Sequence, residues 1–332
     1  MTKQTAESPS QTIKETIQTY QVDQNFSFID KAIADANLLV KENKVGAAVE
    51  KWQAIANIVE GDDKNLAGHA WENLGNLFYK QEKAEEALNA YNNAIRLNPE
   101  KAETHVCRGK VKNILERYEE AIADCNEAIN LNPSQTSVKA AAYTTRGVAK
   151  FGLGDQAGAF VDHNTALRLN SKCAEAFFNK GIAKMKQGED EYAIAEFNKA
   201  IDINPDMAEV YHCRGYVKSV LGQYEAAIRD YDQAIQLAPH YVESYTNRGL
   251  VKYSMGQREA ALADYEEAIR INPLFAQGYT YRAGIKLRQG FDSEARADLE
   301  TALKLARTAG DKQHQSYVES WLAEFVESTE TN

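Results

Sequence analysis

No stretch of about 18 apolar residues occurs in this sequence, so no segment of it can cross a membrane as a helix. No C-x-x-C pair occurs among its four cysteines, Cys107, Cys125, Cys173 and Cys213, and no histidine stands at metal-ligand spacing from them. Neither a metal site nor a disulfide framework is expected. The thiols read as small buried side chains in a reducing compartment, which points to the cytoplasm. A basic excess is missing as well. Lys and Arg number 38 against 48 Asp and Glu, a net charge of −10, which argues against a general nucleic-acid binder. The opening "MTKQTAESPSQT" lacks the apolar core of a signal peptide, and residues 1–10 are expected to form a disordered polar tail.

Signatures of catalysis are absent too. There is no G-x-x-x-x-G-K-[ST], no G-x-S-x-G and no H-E-x-x-H. The reading is of a protein without enzymatic activity or cofactor. Its hydrophobic content of 44% is nevertheless enough for a large core.

What the chain does have is repetition. Gly147, Gly181, Gly215 and Gly249 stand 34 residues apart, and Ala159, Ala193, Ala227, Ala261 and Ala295 keep the same interval. Pro205, Pro239 and Pro273 do likewise, and upstream Gly75 and Gly109, Ala87 and Ala121, and Pro99 and Pro133 set the same frame. The frame slips by four residues after Pro133, as an extra helical turn or a longer loop would cause. Each unit reads as two helices, A and B. Around Gly215, Tyr211, Gly215, Val217 and Leu221 follow helical spacing, and so do Ala227, Ile228, Tyr231, Ala234 and Ile235. Gly222 and its counterparts Gly154, Gly188, Gly256 and Gly290 end helix A, and Asn-Pro or Ala-Pro ends helix B.

The unit near Gly68, with Trp71, Leu74, Gly75, Phe78, Ala87, Tyr91, Ala94 and Pro99, resembles the tetratricopeptide repeat. The resemblance implies an all-α fold, a right-handed superhelical solenoid of stacked helix-turn-helix repeats with terminal capping helices. Eight repeats are expected over 29–309: 29–62, 68–101, 102–135, 140–173, 174–207, 208–241, 242–275 and 276–309. A possible N-terminal helix is expected over 11–28, a capping helix over 310–327 and a tail over 328–332. Tyr317, Val318, Trp321, Leu322 and Phe325 form the apolar face of the cap.

Polar residues recur inside the packing pattern. Position seven, where the family expects Leu, holds Arg108, Arg146, Lys180, Arg214, Arg248 and Arg282. Sixteen residues on stand Asp124, Asp162, Glu196, Asp230, Asp264 and Asp298, and the one Lys comes with the one Glu. The unit with Leu74 has Ala90 there. These pairs are read as structural ion pairs joining helix A to helix B. Lys112, Lys150, Lys184, Lys218, Lys252 and Lys286 follow four residues after each basic residue and are expected to share the same acid.

The resemblance implies a concave groove lined by the second, fifth, sixth, ninth and twelfth positions of each unit. Its floor would hold Thr144, Val148, Phe151, Phe178, Ile182, Met185, His212, Tyr216, Leu250 and Tyr253, with Glu103, Glu175, Glu209 and Glu243 on the rim. Asn73, Asn76, Lys110 and Asn113 make the front more polar. Family co-chaperones grip a chaperone-tail carboxylate with Lys at the fifth position. Here that position is Ile33, Glu72, Val106, Thr144, Phe178, His212, Thr246 and Thr280, so no such clamp is expected. A sixth-position Asn ladder for peptide backbone is partial, with Asn73, Asn179 and Asn247. The expected function is a protein-interaction scaffold or adaptor that takes a partner or peptide in the groove. Alternatives are a self-associating assembly subunit and an anion or nucleic-acid binder using the Arg/Lys stripe.

Overall fold

The structure is a computed structural model and describes residues 29–330, with side chains up to Ala323. The tail expected over 1–10 and the helix expected over 11–28 lie outside the described residues. Among the described residues there are 17 helices, α1 to α17 in chain order, and no strand. They fall into two compact units, divided in the chain after Ser171.

The first unit holds four antiparallel pairs: α1 (29–41) with α2 (Val45–Val59), α3 (Lys64–Lys80) with α4 (Ala84–Leu97), α5 (Ala102–Ile114) with α6 (Tyr118–Asn130), and α7 (Thr136–Gly152) with α8 (Gln156–Leu169). The second holds α9 (Ala174–Lys186) with α10 (Asp190–Ile203), α11 (Ala208–Val220) with α12 (Tyr224–Leu237), α13 (Val242–Ser254) with α14 (Arg258–Ile271), and α15 (Ala276–Arg288) with α16 (Asp292–Ala309). The single helix α17 (Lys312–Glu330) follows. Within each unit every pair packs on the next, α4 on α5, α6 on α7, α10 on α11, α12 on α13 and α14 on α15, which makes an all-α solenoid. The four-residue slip is one additional turn of helix: α7 has 17 residues where α5 has 13. The last helix B, α16, has 18 residues because no Pro stops it, whereas Asn272 and Pro273 end the 14-residue α14. The last helix passes the expected boundary at 327 and reaches Glu330, since Ser328 and Thr329 offer no Gly or Pro to break it.

Small residues set the spacing of helices. Ala87, Ala121, Ala159, Ala193, Ala227, Ala261 and Ala295 are all buried. Gly249 lets the Tyr265 ring lie on helix A; a Cβ there would stand 2.6 Å from Tyr265 Cε1. The cap covers the last pair through Val318, Trp321 and Leu322, which pack with Leu299, Ala302 and Leu303. Tyr317 is exposed at the edge of that face.

The turn between helices A and B is left-handed at one residue. At Gly222 φ is +73°, and Gln223 N–H donates to Lys218 O at 2.9 Å. The matching residue of the earlier repeats is Glu82, with φ of 60°, or Glu116, with φ of 56°. A side chain pays about 1 kcal/mol or more for that backbone. Glu116→Gly should therefore stabilise the first unit by roughly 0.5–1 kcal/mol, and Gly222→Glu should destabilise the second by a similar amount. Urea midpoints measure both, and an unchanged midpoint for Glu116→Gly would mean the turn carries no strain.

Candidate functional site

The repeated basic residue faces its acid. Arg108 donates Nε and Nη2 to Asp124 at 2.8 and 2.6 Å, and Arg146 reaches Asp162 at 2.9 and 2.7 Å. Arg214 with Asp230, Arg248 with Asp264 and Arg282 with Asp298 repeat this two-pronged contact. The geometry is the bidentate fork that only Arg can offer a carboxylate. Lys112, Lys150, Lys218, Lys252 and Lys286 approach the same acids at 2.7 to 3.0 Å. The Lys180 unit differs. Lys180 stands 3.6 Å from Glu196, and Lys184 turns away to Glu189 at 2.8 Å, contrary to the expected sharing. An ammonium has no fork, and Glu is one methylene longer than Asp, so the three groups do not close into the same triad.

Two further partners complete the motif. The remaining prong, Nη1, crosses to helix B of the preceding repeat: Arg108 to Asn92 at 2.9 Å, Arg146 to Asn126 at 2.6 Å, Arg214 to Asn198 at 2.6 Å and Arg248 to Asp232 at 2.5 Å. The ring three residues earlier lies under the guanidinium, with Tyr143, Tyr211, Tyr245 and Tyr279 centred 5.0 to 5.6 Å from their Arg. The signal for the cross-repeat partner is in the sequence: a polar residue stands 16 places before Arg108, Arg214 and Arg248, and 20 before Arg146, across the slip. The same count from Leu74 reaches Ile58.

The expected groove sorts by register. The fifth position is a buried seam, with Glu72, Val106, Thr144, Thr246 and Thr280 all enclosed. Thr144 is therefore not on an open floor; its hydroxyl donates back to Ala140 O at 3.0 Å. Glu72 bonds Lys101 at the end of its own repeat and Thr104 at the start of the next. Phe178 leans on Phe197 with ring centres 6.0 Å apart. His212 packs between Tyr231 and Tyr241, and its Nδ1 lies 2.9 Å from Ser244 Oγ. Burial pushes the His212 pKa down to about 4, so the ring is neutral.

The other registers are more open. Tyr216 is 46% exposed, and Asn76 is exposed with its Oδ1 accepting from Tyr91 OH at 2.8 Å. Lys110, Val148, Phe151, Asn179, Ile182 and Met185 are half-buried along helices A, Ile182 and Met185 against the Phe197 core. Asn73 donates to His69 O at 2.9 Å, and Asn247 Nδ2 lies 3.5 Å from His212 Nε2, so both amides face protein groups.

Leu250 and Tyr253 open into a cleft of about 480 Å³ at the end of the second unit. Tyr281, Gly284, Leu287 and Arg288 of α15 line its next wall, Tyr265 lies within, and Trp321 of the cap closes it. Gly284 admits the indole, since a Cβ there would meet Trp321 Cη2 at 3.2 Å. Tyr265 and Tyr281 stack with centres 5.5 Å apart. Sequence reasoning placed Leu250 and Tyr253 on the groove but missed Gly284, Arg288 and the part played by Trp321.

Two predictions concern the ion pairs. Asp230→Ala strands Arg214 and Lys218 together and should cost about 3 kcal/mol, whereas Arg214→Leu leaves Asp230 with Lys218 and should cost about 2 kcal/mol. The double variant should lose less than the sum by about 1–2 kcal/mol in urea unfolding; additive losses would reject the coupling. For Asp162, burial works to raise the carboxyl's pKa, but hydrogen bonds from Arg146 and Lys150 outweigh it and hold it below the ordinary carboxylate range. Its stabilisation is complete above about pH 4 and is lost as pH falls through the lowered folded value. Asp162→Asn should therefore be less stable than wild type at neutral pH, and the gap should narrow as pH falls below about 4.

Comparisons with known proteins agree with this architecture. The family model described as TPR repeat matches residues 75–113, 183–219 and 221–256, and models described as tetratricopeptide repeat match 102–135 and 242–275. A model of anaphase-promoting complex subunit 5 matches 280–329. A search of curated proteins found no match. Among solved structures, a tetratricopeptide repeat protein from Parabacteroides merdae is 22% identical at a TM-score of 0.54, with 74% of this chain and 93% of that one covered. The APC/C hetero-tetramer Cut9–Hcn1 gives 16% identity and a TM-score of 0.59 over 86% of this chain and 55% of that one. MamA gives 27% identity and a TM-score of 0.46 over 50% and 96%. Thirty-four-residue helix pairs, stacked through small residues and matched by these family models, make this chain a tetratricopeptide repeat protein.

Proposed function

We propose that the chain is a non-catalytic scaffold or adaptor that holds a segment of a partner protein against the open registers of its A helices. The observation that carries this reading is the aromatic cleft at Leu250 and Tyr253, on the helix-A face and large enough for a side chain from another molecule. The exposed Tyr216 extends an apolar face along the same registers. Exposed Glu175, Glu209 and Glu243, each in the first turn of its helix, add an acidic margin. Interaction scaffolding needs surface and rigidity, and the Arg ladder supplies rigidity without using these registers. Free thiols at Cys107, Cys125 and Cys213 suit a reducing compartment such as the cytoplasm.

A second reading, an assembly subunit of a larger complex, is favoured by the match of residues 280–329 to a subunit of such a complex. Light scattering across a concentration range addresses its self-associating form: a concentration-independent monomer rejects that form.

The groove reading predicts where a partner touches. A photo-crosslinking residue at position 216 or 253 should capture partner protein, and one at exposed helix-B positions 225 or 229 should not. Tyr216→Ala/Leu250→Ala/Tyr253→Ala should lose that partner by roughly tenfold or more while keeping its helical content. Equal capture from both faces, or full retention by the triple variant, would move the binding surface off the helix-A face.

A further inference from the structure

The ladder guanidiniums are matched by carboxylates, but one cation at the cleft is not. Arg288 ends α15 on the wall of the cleft, is exposed, and among the described residues pairs with no carboxylate. Its guanidinium stands 5.7 Å from the centre of the Tyr253 ring, which holds the fork beside the apolar space. Below it lie Leu250, Tyr281 and Trp321, a surface suited to one large apolar side chain. An occupant that filled the space with an apolar group alone would leave the cation without a partner. An occupant with a positive charge beside its anchor would be repelled.

We propose that the cleft takes one Trp, Phe or Leu of a partner peptide and that Arg288 pairs with an Asp or Glu side chain one to three residues along it. This rests on the groove reading and gives the ligand chemistry of its C-terminal end. The acid sets direction as well as affinity. Arg288 lies in the last turn of its helix A, whereas Glu243 lies in the first turn of the neighbouring helix A. A bound segment therefore meets a cation at one margin and a carboxylate at the other, and one chain direction satisfies both.

The test uses the purified full chain and three fluorescein-labelled hexapeptides, each with one Trp. The first has Asp flanks and an amidated end, the second Lys flanks and an amidated end, the third Ser flanks and a free terminal carboxylate. Fluorescence polarisation should give the Asp-flanked peptide roughly tenfold tighter binding than the Lys-flanked one. Arg288→Glu, an exchange at an exposed position, should reverse that order, and Trp321→Ala should weaken both. Equal binding of the charged peptides, an order unchanged by Arg288→Glu, tightest binding of the free-carboxylate peptide, or no binding of any would each overturn the proposal. Those outcomes leave the cross-links from position 216 untouched, so failure here is separable from failure of the groove reading.

Discussion

Five Arg–Asp forks hold five of the eight described helix pairs in register. Each joins a helix A to its own helix B through two hydrogen bonds, and four of them reach the preceding helix B with a third. The need for such a device follows from the rest of the packing. Seams built from Ala and Gly allow close approach but offer little to stop one helix sliding by a turn along another. A fork is satisfied only where Asp and the polar partner stand at their observed places. A half-turn slip would strand a charge within the seam, which is far costlier than losing an apolar contact. A tyrosine beneath four of the five guanidiniums and a lysine beside each of the five aspartates complete the same arrangement, so that burial does not leave the acid with a single partner.

The variants among the repeats obey this logic. Leu74, Ala90 and Ile58 replace the Arg, the Asp and the cross-repeat partner together, and Leu74 and Ala90 are buried in the apolar core shared by the first pairs. The Lys180 repeat keeps the charges and loses the fork, and there Glu196 Oε2 is buried without a hydrogen bond. An all-apolar set and a complete polar set are both coherent solutions. The mixed one leaves a polar atom unsatisfied.

Much of the fold could be read from the chain because the repeats are comparisons of one another. The 34-residue interval, the Pro stops and the slip after Pro133 correspond to helix ends, and the slip to an added turn in α7. Covariation of position seven with the acid sixteen residues later is visible without any structure. The cross-repeat Asn was equally visible but escaped notice, because it lies before the Arg and belongs to a different repeat. What could not be read was orientation. The pattern gives the fifth position the same inward register as the ninth, yet Thr144, Thr246 and Thr280 bond their own helices and lie in the seam. The cleft was hidden for another reason. It needs Trp321 to fold back over Gly284, a contact set by the cap and by no repeat.

That origin explains why the cleft sits where it does. Inside a unit, the face of one helix pair is covered by the next pair, two helices wide. After α16 the covering element is α17 alone. It buries Val318 against the core and brings Trp321 to Gly284, but one helix cannot cover the full width of α15. The uncovered remainder is where Tyr281, Leu287 and Arg288 face the cleft with Leu250 and Tyr253. A guanidinium with no carboxylate partner among the described residues is tolerated there because its position is exposed, whereas the same group at position seven is accompanied by an acid in every repeat that has it. The packing rule thus relaxes beside α17, and that is where the proposed partner anchor would sit in the place of a further repeat.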